Sequence, residues 1–166
     1  QISIAPWRRP AKNVVMALLV RDLASNDRPG WEKLWAGYLE FYKSSVAPEV
    51  TETTFARLLD ASEPMFCLVA EDTATHDLIG IVNCVIHRST WSQRSYCYLG
   101  DLFTAPAARK RGAARDLIEA ALDTEWDDGL GSLYADCASD GNPGSAQLER
   151  AEQWRARAEQ AMPRGQ

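Results

Sequence analysis

The order of hydrophobic and polar positions divides most of the chain into eight successive elements. Asn13 to Asp22 is an apolar run suited to a first strand. Asp27-Arg28-Pro29-Gly30 opens a helix, with Asp27 or Asn26 as its N-cap. Trp31, Leu34, Trp35, Tyr38 and Tyr42 recur at helical spacing and form one face, with Leu39 beside it. That face is wide and aromatic, which favours burial, and part of it could also line a substrate groove. Ser44-Ser45 and Pro48 break this helix, and Thr51 caps a second one that turns Phe55, Leu58 and Leu59 inward. MFCLVAE (65–71) predicts a strand, Asp72 to Asp77 a polar turn, and LIGIVNCVIH (78–87) its hairpin partner. Beyond a polar connection from Arg88 to Arg94, a further strand begins at Tyr96 and ends before Pro106. Ala114, Leu117, Ile118, Ala121 and Leu122 then mark a third helix, and SLYADC (132–137) a fifth strand. An antiparallel meander passing into a βαβ crossover follows. The fold class is α/β (α+β), with a mixed, mainly antiparallel central sheet flanked by helices.

The two ends of the chain read differently. Residues 1–12 carry prolines and cations without periodicity and read as an extension, with Met16 a candidate first residue. Ser145 to Ala161 is rich in Ala, Glu, Arg and Gln, and only Leu148, Ala151, Trp154 and Ala158 form a narrow apolar stripe. The expected organisation is an extension over 1–15, one domain over 16–149 and a helical tail over 150–166.

Composition narrows the function classes. A length of 166 residues suits one domain with a real core. The net charge of −5 argues against general nucleic-acid binding and is compatible with a cationic substrate such as an amine. No apolar run approaches a membrane span, and the N-terminus lacks a signal-peptide pattern. Cys67, Cys84, Cys97 and Cys137 have no C-x-x-C spacing, which predicts reduced cysteines and a cytoplasmic protein. With two histidines and scattered cysteines, no metal site is expected.

The most informative stretch is Tyr96 to Leu122, a strand, a basic turn carrying one glycine, and a helix. Such a junction aims several backbone N–H groups and a helix N-terminus at one spot, which suits a phosphate. Gly112 lets backbone approach a ligand closely, and Arg109, Lys110 and Arg111 stand beside it. The P-loop and the dinucleotide fingerprint both need glycines that are absent here.

Arg109-x-x-Gly112-x-Ala114 resembles the signature Arg/Gln-x-x-Gly-x-Gly/Ala of the GNAT acyltransferase superfamily. The order of elements is also that of GNAT proteins, over about residues 16 to 149. GYLEFY (37–42), HRSTW (87–91) and CYLGDLF (97–103) look most like the histone/polyamine-type branch. The resemblance implies acetyl transfer from acetyl-CoA to a primary amine, whether a small amine, a polyamine or a lysine-like group. It implies that Arg109, Lys110, Arg111, Gly112, Ala113 and Ala114 hold the pyrophosphate of acetyl-CoA. It further implies that backbone groups of Leu102, Phe103 and Thr104 bind the pantetheine arm and the thioester carbonyl.

The catalytic groups are less regular. Many relatives carry Glu where this chain has Gly100, which leaves Asp101, His87 or water as the base. Strict alternation puts positions 96, 98, 100, 102 and 104 on one face of the strand and Asp101 on the other. Asn142 and Leu148 keep the register of a helix motif whose Tyr is the usual acid, but that position is Glu149 here. An ordinary Glu is ionised at neutral pH, so Glu149 is a poor acid unless burial raises its pKa, and Tyr134 is the other candidate. The last two strands of the family have no counterpart, which leaves an open edge on the fifth strand for a helix or a second chain in a homodimer. Gly100, Glu149 and the missing strands also favour an alternative, a CoA-binding GNAT-like sensor or interaction protein with weak catalysis.

Overall fold

The computed structural model describes residues 18–88, 90, 95–124 and 130–135, the last six as backbone. Expectations for Met16, Cys137, Asn142, Glu149 and the helical tail therefore lie outside the described residues. The first strand, β1, is Leu18–Asp22. Two helices follow, α1 (Arg28–Phe41) and α2 (Pro48–Leu59), then the strands β2 (Met65–Asp72), β3 (Leu78–His87) and β4 (Ser95–Thr104). Helix α3 (Ala113–Leu122) carries the chain across to β5 (Leu130–Ala135). The strands lie side by side in chain order. All neighbours are antiparallel except β4 and β5, which the crossover makes parallel.

Two apolar layers sandwich this sheet. Alternate residues of β2 serve both, which is why MFCLVAE is apolar throughout. Phe66 and Leu68 join Val82, Cys84, Cys97 and Leu99 under Leu117, Ile118 and Ala121 of α3. Cys67 and Val69 face the other way, with Ile81 and Phe103, and meet Trp31, Leu34 and Trp35 of α1 and Phe55 and Leu58 of α2. Leu68 and Ile81 are fully buried, and each such side chain contributes roughly 1.5–3 kcal/mol. Cys67, Cys84 and Cys97 are free and buried, as reduced core cysteines should be.

Several local expectations are corrected by packing. Thr51 does not cap α2; Pro48 at the first turn starts that helix, and the Thr51 hydroxyl accepts a hydrogen bond from Trp35 Nε1 at 3.3 Å. Leu59 is exposed while Leu58 is buried. Asp27 precedes α1, but its carboxylate makes no cap to that helix. Instead it accepts the Ala24 N–H and a two-pronged contact from Arg21. The buried face of α3 is Ala113, Leu117, Ile118, Ala120 and Ala121, with Ala114 and Leu122 at its margins.

The correction with most consequence concerns β4. Its pairing with β3 steps from Cys84↔Leu99 to Asn83↔Asp101, so Gly100 is an unpaired bulge residue. Before the bulge, Cys97 and Leu99 face α3; after it, Phe103 faces α1. The extra residue breaks strict alternation, and Asp101 lies on the α1 face instead of opposite Tyr98.

Candidate functional site

Two clusters meet at the C-terminal half of β4. The first is the turn that leaves the strand. The Ala105 N–H donates to the Ile79 carbonyl at 2.9 Å, and a single 3-10 turn over Pro106–Ala108 leads to Arg109. Lys110 and Gly112 then take left-handed backbone conformations, with φ of 66° and 90°. Glycine suits such a position because it has no Cβ to clash. A Cβ added at Gly112 would meet no atom within 4 Å, so the space before it is open.

Helix α3 begins immediately, and its first backbone bond runs from the Asp116 N–H to the Gly112 carbonyl at 3.0 Å. The N–H groups of Ala113, Ala114 and Arg115 precede that bond, as the first amides of any helix do. Among the described residues, no protein acceptor faces these amides or those of Arg111 and Gly112. Ala113 packs in the core and Ala114 is half-buried, so both contribute backbone to the mouth. The three cations divide their work. Arg111 reaches Asp72 Oδ2 at 2.7 Å and pins the turn to the end of β2. The Ala74 amide and then the Arg111 guanidinium hold the Asp72 carboxyl below its usual pKa. Arg109 places its guanidinium 6.0 Å from the Phe41 ring centre, and Lys110 is exposed.

The strand end itself offers mainly backbone. Leu102 packs towards α3, while Phe103 packs towards α1 so closely that its ring would lie 2.8 Å from a Cβ at Gly37. Thr104 Oγ1 is buried with no partner among the described residues.

The second cluster surrounds Asp101. Asn83 Nδ2 donates to Asp101 Oδ2 at 3.0 Å. Tyr38 of α1 approaches the same carboxylate. Its phenol is pushed above the usual range by burial first, and then by the charge of Asp101 and a hydrogen bond to it. Tyr38 is held by stacking on Trp35, with ring centres 5.5 Å apart, and by a tilted contact with Tyr42 at 4.9 Å. No cation pairs with Asp101 among the described residues. Tyr38 was missed as a site residue from sequence, although it belongs to the aromatic face of which part could line a groove.

His87 is not brought to this place. It pairs with Tyr96 while Asp101 pairs with Asn83, a separation of about 13 Å along β3 at the usual strand rise. Its Nδ1–H donates to the Arg88 carbonyl at 2.7 Å, and its ring sits edge-on to Tyr96. Among the described residues, no group of side chains could hold a metal ion, and no helix is long and apolar enough to cross a membrane.

A bulged mixed sheet with a crossover helix and a glycine turn at its mouth defines an acyltransferase-like α/β architecture. The model of a family described as "Acetyltransferase (GNAT) family" matches residues 31–150. The chain is also 36% identical over 110 residues to D-amino-acid N-acetyltransferase HPA3 of Saccharomyces cerevisiae, an alignment spanning 66% of this chain and 68% of that protein. The chain belongs to the GNAT acetyltransferase family and is an N-acetyltransferase that uses acetyl-CoA as co-substrate.

Solved structures share its fold. A possible acetyltransferase from Clostridium difficile 630 superposes with a TM-score of 0.66 at 14% identity, covering 82% of this chain and 90% of that one. Glucosamine-6-phosphate N-acetyltransferase from Arabidopsis thaliana gives 0.62 at 15% identity, covering 81% and 90%.

Proposed function

We propose that this chain transfers the acetyl group of acetyl-CoA to a primary amine, and that Asp101 takes up the amine's proton. The observation that carries the reading is the unengaged amide cluster around Gly112, open in front and fixed behind by Arg111 and Asp72. Amides at a helix N-terminus match the charge and acceptor oxygens of a diphosphate. Arg109 and Lys110 add positive charge at its rim. Bound there, the co-substrate supplies a thioester. The side chains of Leu102 and Phe103 point into opposite core layers, so backbone groups from Leu102 to Thr104 would line its arm.

The acceptor must lose a proton to become a nucleophile, and a carboxylate close by both attracts the ammonium form and receives that proton. Asp101 fits this role on the α1 face, whereas His87 lies four residues along β3 from Asn83, the partner of Asp101. The named activity of the yeast relative favours the amino group of a D-amino acid, with polyamines and lysine-like amines as the other acceptor classes.

Thiol release from acetyl-CoA tests the reading with D-phenylalanine, D-alanine, spermidine and a lysine-containing peptide as acceptors. Turnover of at least one is expected. CoA bound calorimetrically without turnover of any of them would instead support a sensor that binds CoA. Replacing Gly112 with Val should weaken CoA binding at least ~100-fold, about 2.7 kcal/mol, because a branched side chain both strains φ and fills the cradle. Unchanged affinity would remove the diphosphate assignment.

A further inference from the structure

We infer that Tyr38 and Asn83 are positioning residues for the transfer reaction, which together aim the Asp101 carboxylate at the acceptor amine. The inference rests on the function proposed above and extends it to two residues that do not belong to the GNAT motif. It starts from the bulge. Gly100 rotates Asp101 to the α1 face, where a carboxylate on a half-buried strand needs donors. The Asn83 amide donates to it from β3, and Tyr38 faces it from α1 closely enough for the phenol to feel its charge. A neutral donor orients a carboxylate and leaves its charge in place; a guanidinium would cancel that charge. Elsewhere in this protein buried carboxylates take the second course: Asp27 and Glu71 both bind Arg21, at 2.6 and 2.7 Å.

Asn83 shows what the arrangement costs. It is 4% exposed, and by turning its amide nitrogen to Asp101 it leaves Oδ1 buried without a partner among the described residues. An unsatisfied buried acceptor costs about 1–3 kcal/mol. A residue serving stability alone would be better replaced by an apolar one, as its neighbours Val82 and Cys84 are. Tyr38 has a comparable constraint. Its ring is stacked on Trp35 and tilted against Tyr42, contacts that restrict how the phenol can turn. Burial and the nearby negative charge keep that hydroxyl protonated, hence a donor, throughout the working pH range.

A double-mutant cycle on the full chain tests this, using whichever amine of the acceptor panel turns over fastest. Asp101→Asn should lower kcat/KM for the amine about 100-fold, as expected when a proton acceptor is lost. Tyr38→Phe keeps the ring stacking and removes only the hydroxyl; it should lower kcat/KM for the amine about tenfold and leave KM for acetyl-CoA unchanged. In Asp101→Asn, adding Tyr38→Phe or Asn83→Ala should cause no further loss, since each acts through the carboxylate. Losses that multiply in the double variants would mark a merely structural role and overturn the inference, as would unaltered kinetics in Tyr38→Phe. If the unaltered protein turns over no amine, the proposed function fails and this inference with it. Turnover with an indifferent Tyr38→Phe sinks the inference alone.

Discussion

Asp27 and Asp101 are two carboxylates on the α1 side of the same sheet, and their surroundings differ in kind. Asp27 is 8% exposed and saturated: Arg21 grips both oxygens, at 2.6 and 2.9 Å, and the Ala24 N–H adds a third donor. Arg21 extends the cluster to Glu71, which also accepts from His76. Asp101 is half-buried and accepts from an amide, with the Tyr38 phenol near its charge and no cation among the described residues. On the function proposed above, the contrast separates a charge used as mortar from a charge kept for use. In the first case a cation compensates the charge; in the second the Asn83 amide orients the carboxylate without a cation beside it among the described residues.

Exchanging the carboxylates for amides should break the comparison in opposite directions. Asp101→Asn is the larger kinetic lesion, about 100-fold in kcat/KM for the amine, with a melting temperature close to that of the parent. Asp27→Asn should do the reverse. It leaves Arg21 without its main partner and should cost about 2 kcal/mol, a figure between exposed and buried ion pairs because Arg21 is 30% exposed on its side chain. Its KM values should not move. Parallel thermal melts and steady-state assays of the two variants check both statements.

Acid should sharpen the same contrast. The Arg21 hydrogen bond, ahead of opposing burial, lowers the Asp27 pKa, and His76 followed by Arg21 lowers that of Glu71. A carboxylate with a depressed folded pKa binds protons more weakly folded than unfolded. The stability it contributes is therefore complete above the ordinary carboxylate range and is lost as pH falls through the lower folded value. Denaturant midpoints taken downward from neutral pH should drop steeply once pH passes below that range. Asp27→Asn should show a shallower drop than the parent, and an equal slope would refute the assignment.

The smallest effect is expected at Gly100. A Cβ there would lie 3.4 Å from the Tyr98 ring and 3.6 Å from the Asn83 carbonyl, both ordinary contacts. Gly100→Ala should change stability by less than about 1 kcal/mol, measured by denaturant unfolding. A larger loss would mean that the bulge needs a glycine for its own sake.

Much of this architecture is legible in the chain because burial writes it directly. The β3 bounds follow from an apolar run between polar turns, and Trp31, Leu34 and Trp35 declare one helix face by spacing alone. The turn at Gly112 is visible because its geometry restricts residue type. What stayed hidden depends on partners distant in sequence. Gly100 becomes a bulge only because Asn83 and Cys84 take Asp101 and Leu99 as neighbours. No periodicity within β4 announces that slip, and so the face of Asp101 was misassigned. Likewise the pairing of Arg111 with Asp72 joins residues far apart in sequence, and no local pattern shows it. Thr51 looks like a cap until Pro48 is seen to open the helix and Trp35 to claim its hydroxyl.

The tie from Arg111 to Asp72 has a kinetic consequence. With Lys110 and Gly112 already in left-handed conformations and the turn fastened to β2, the chain disorder of this segment is surrendered when the protein folds. If this turn holds the diphosphate as proposed, an arriving nucleotide would meet a finished socket and pay little ordering entropy of its own. Loosening the tether should therefore slow capture while leaving the contacts of the captured molecule intact.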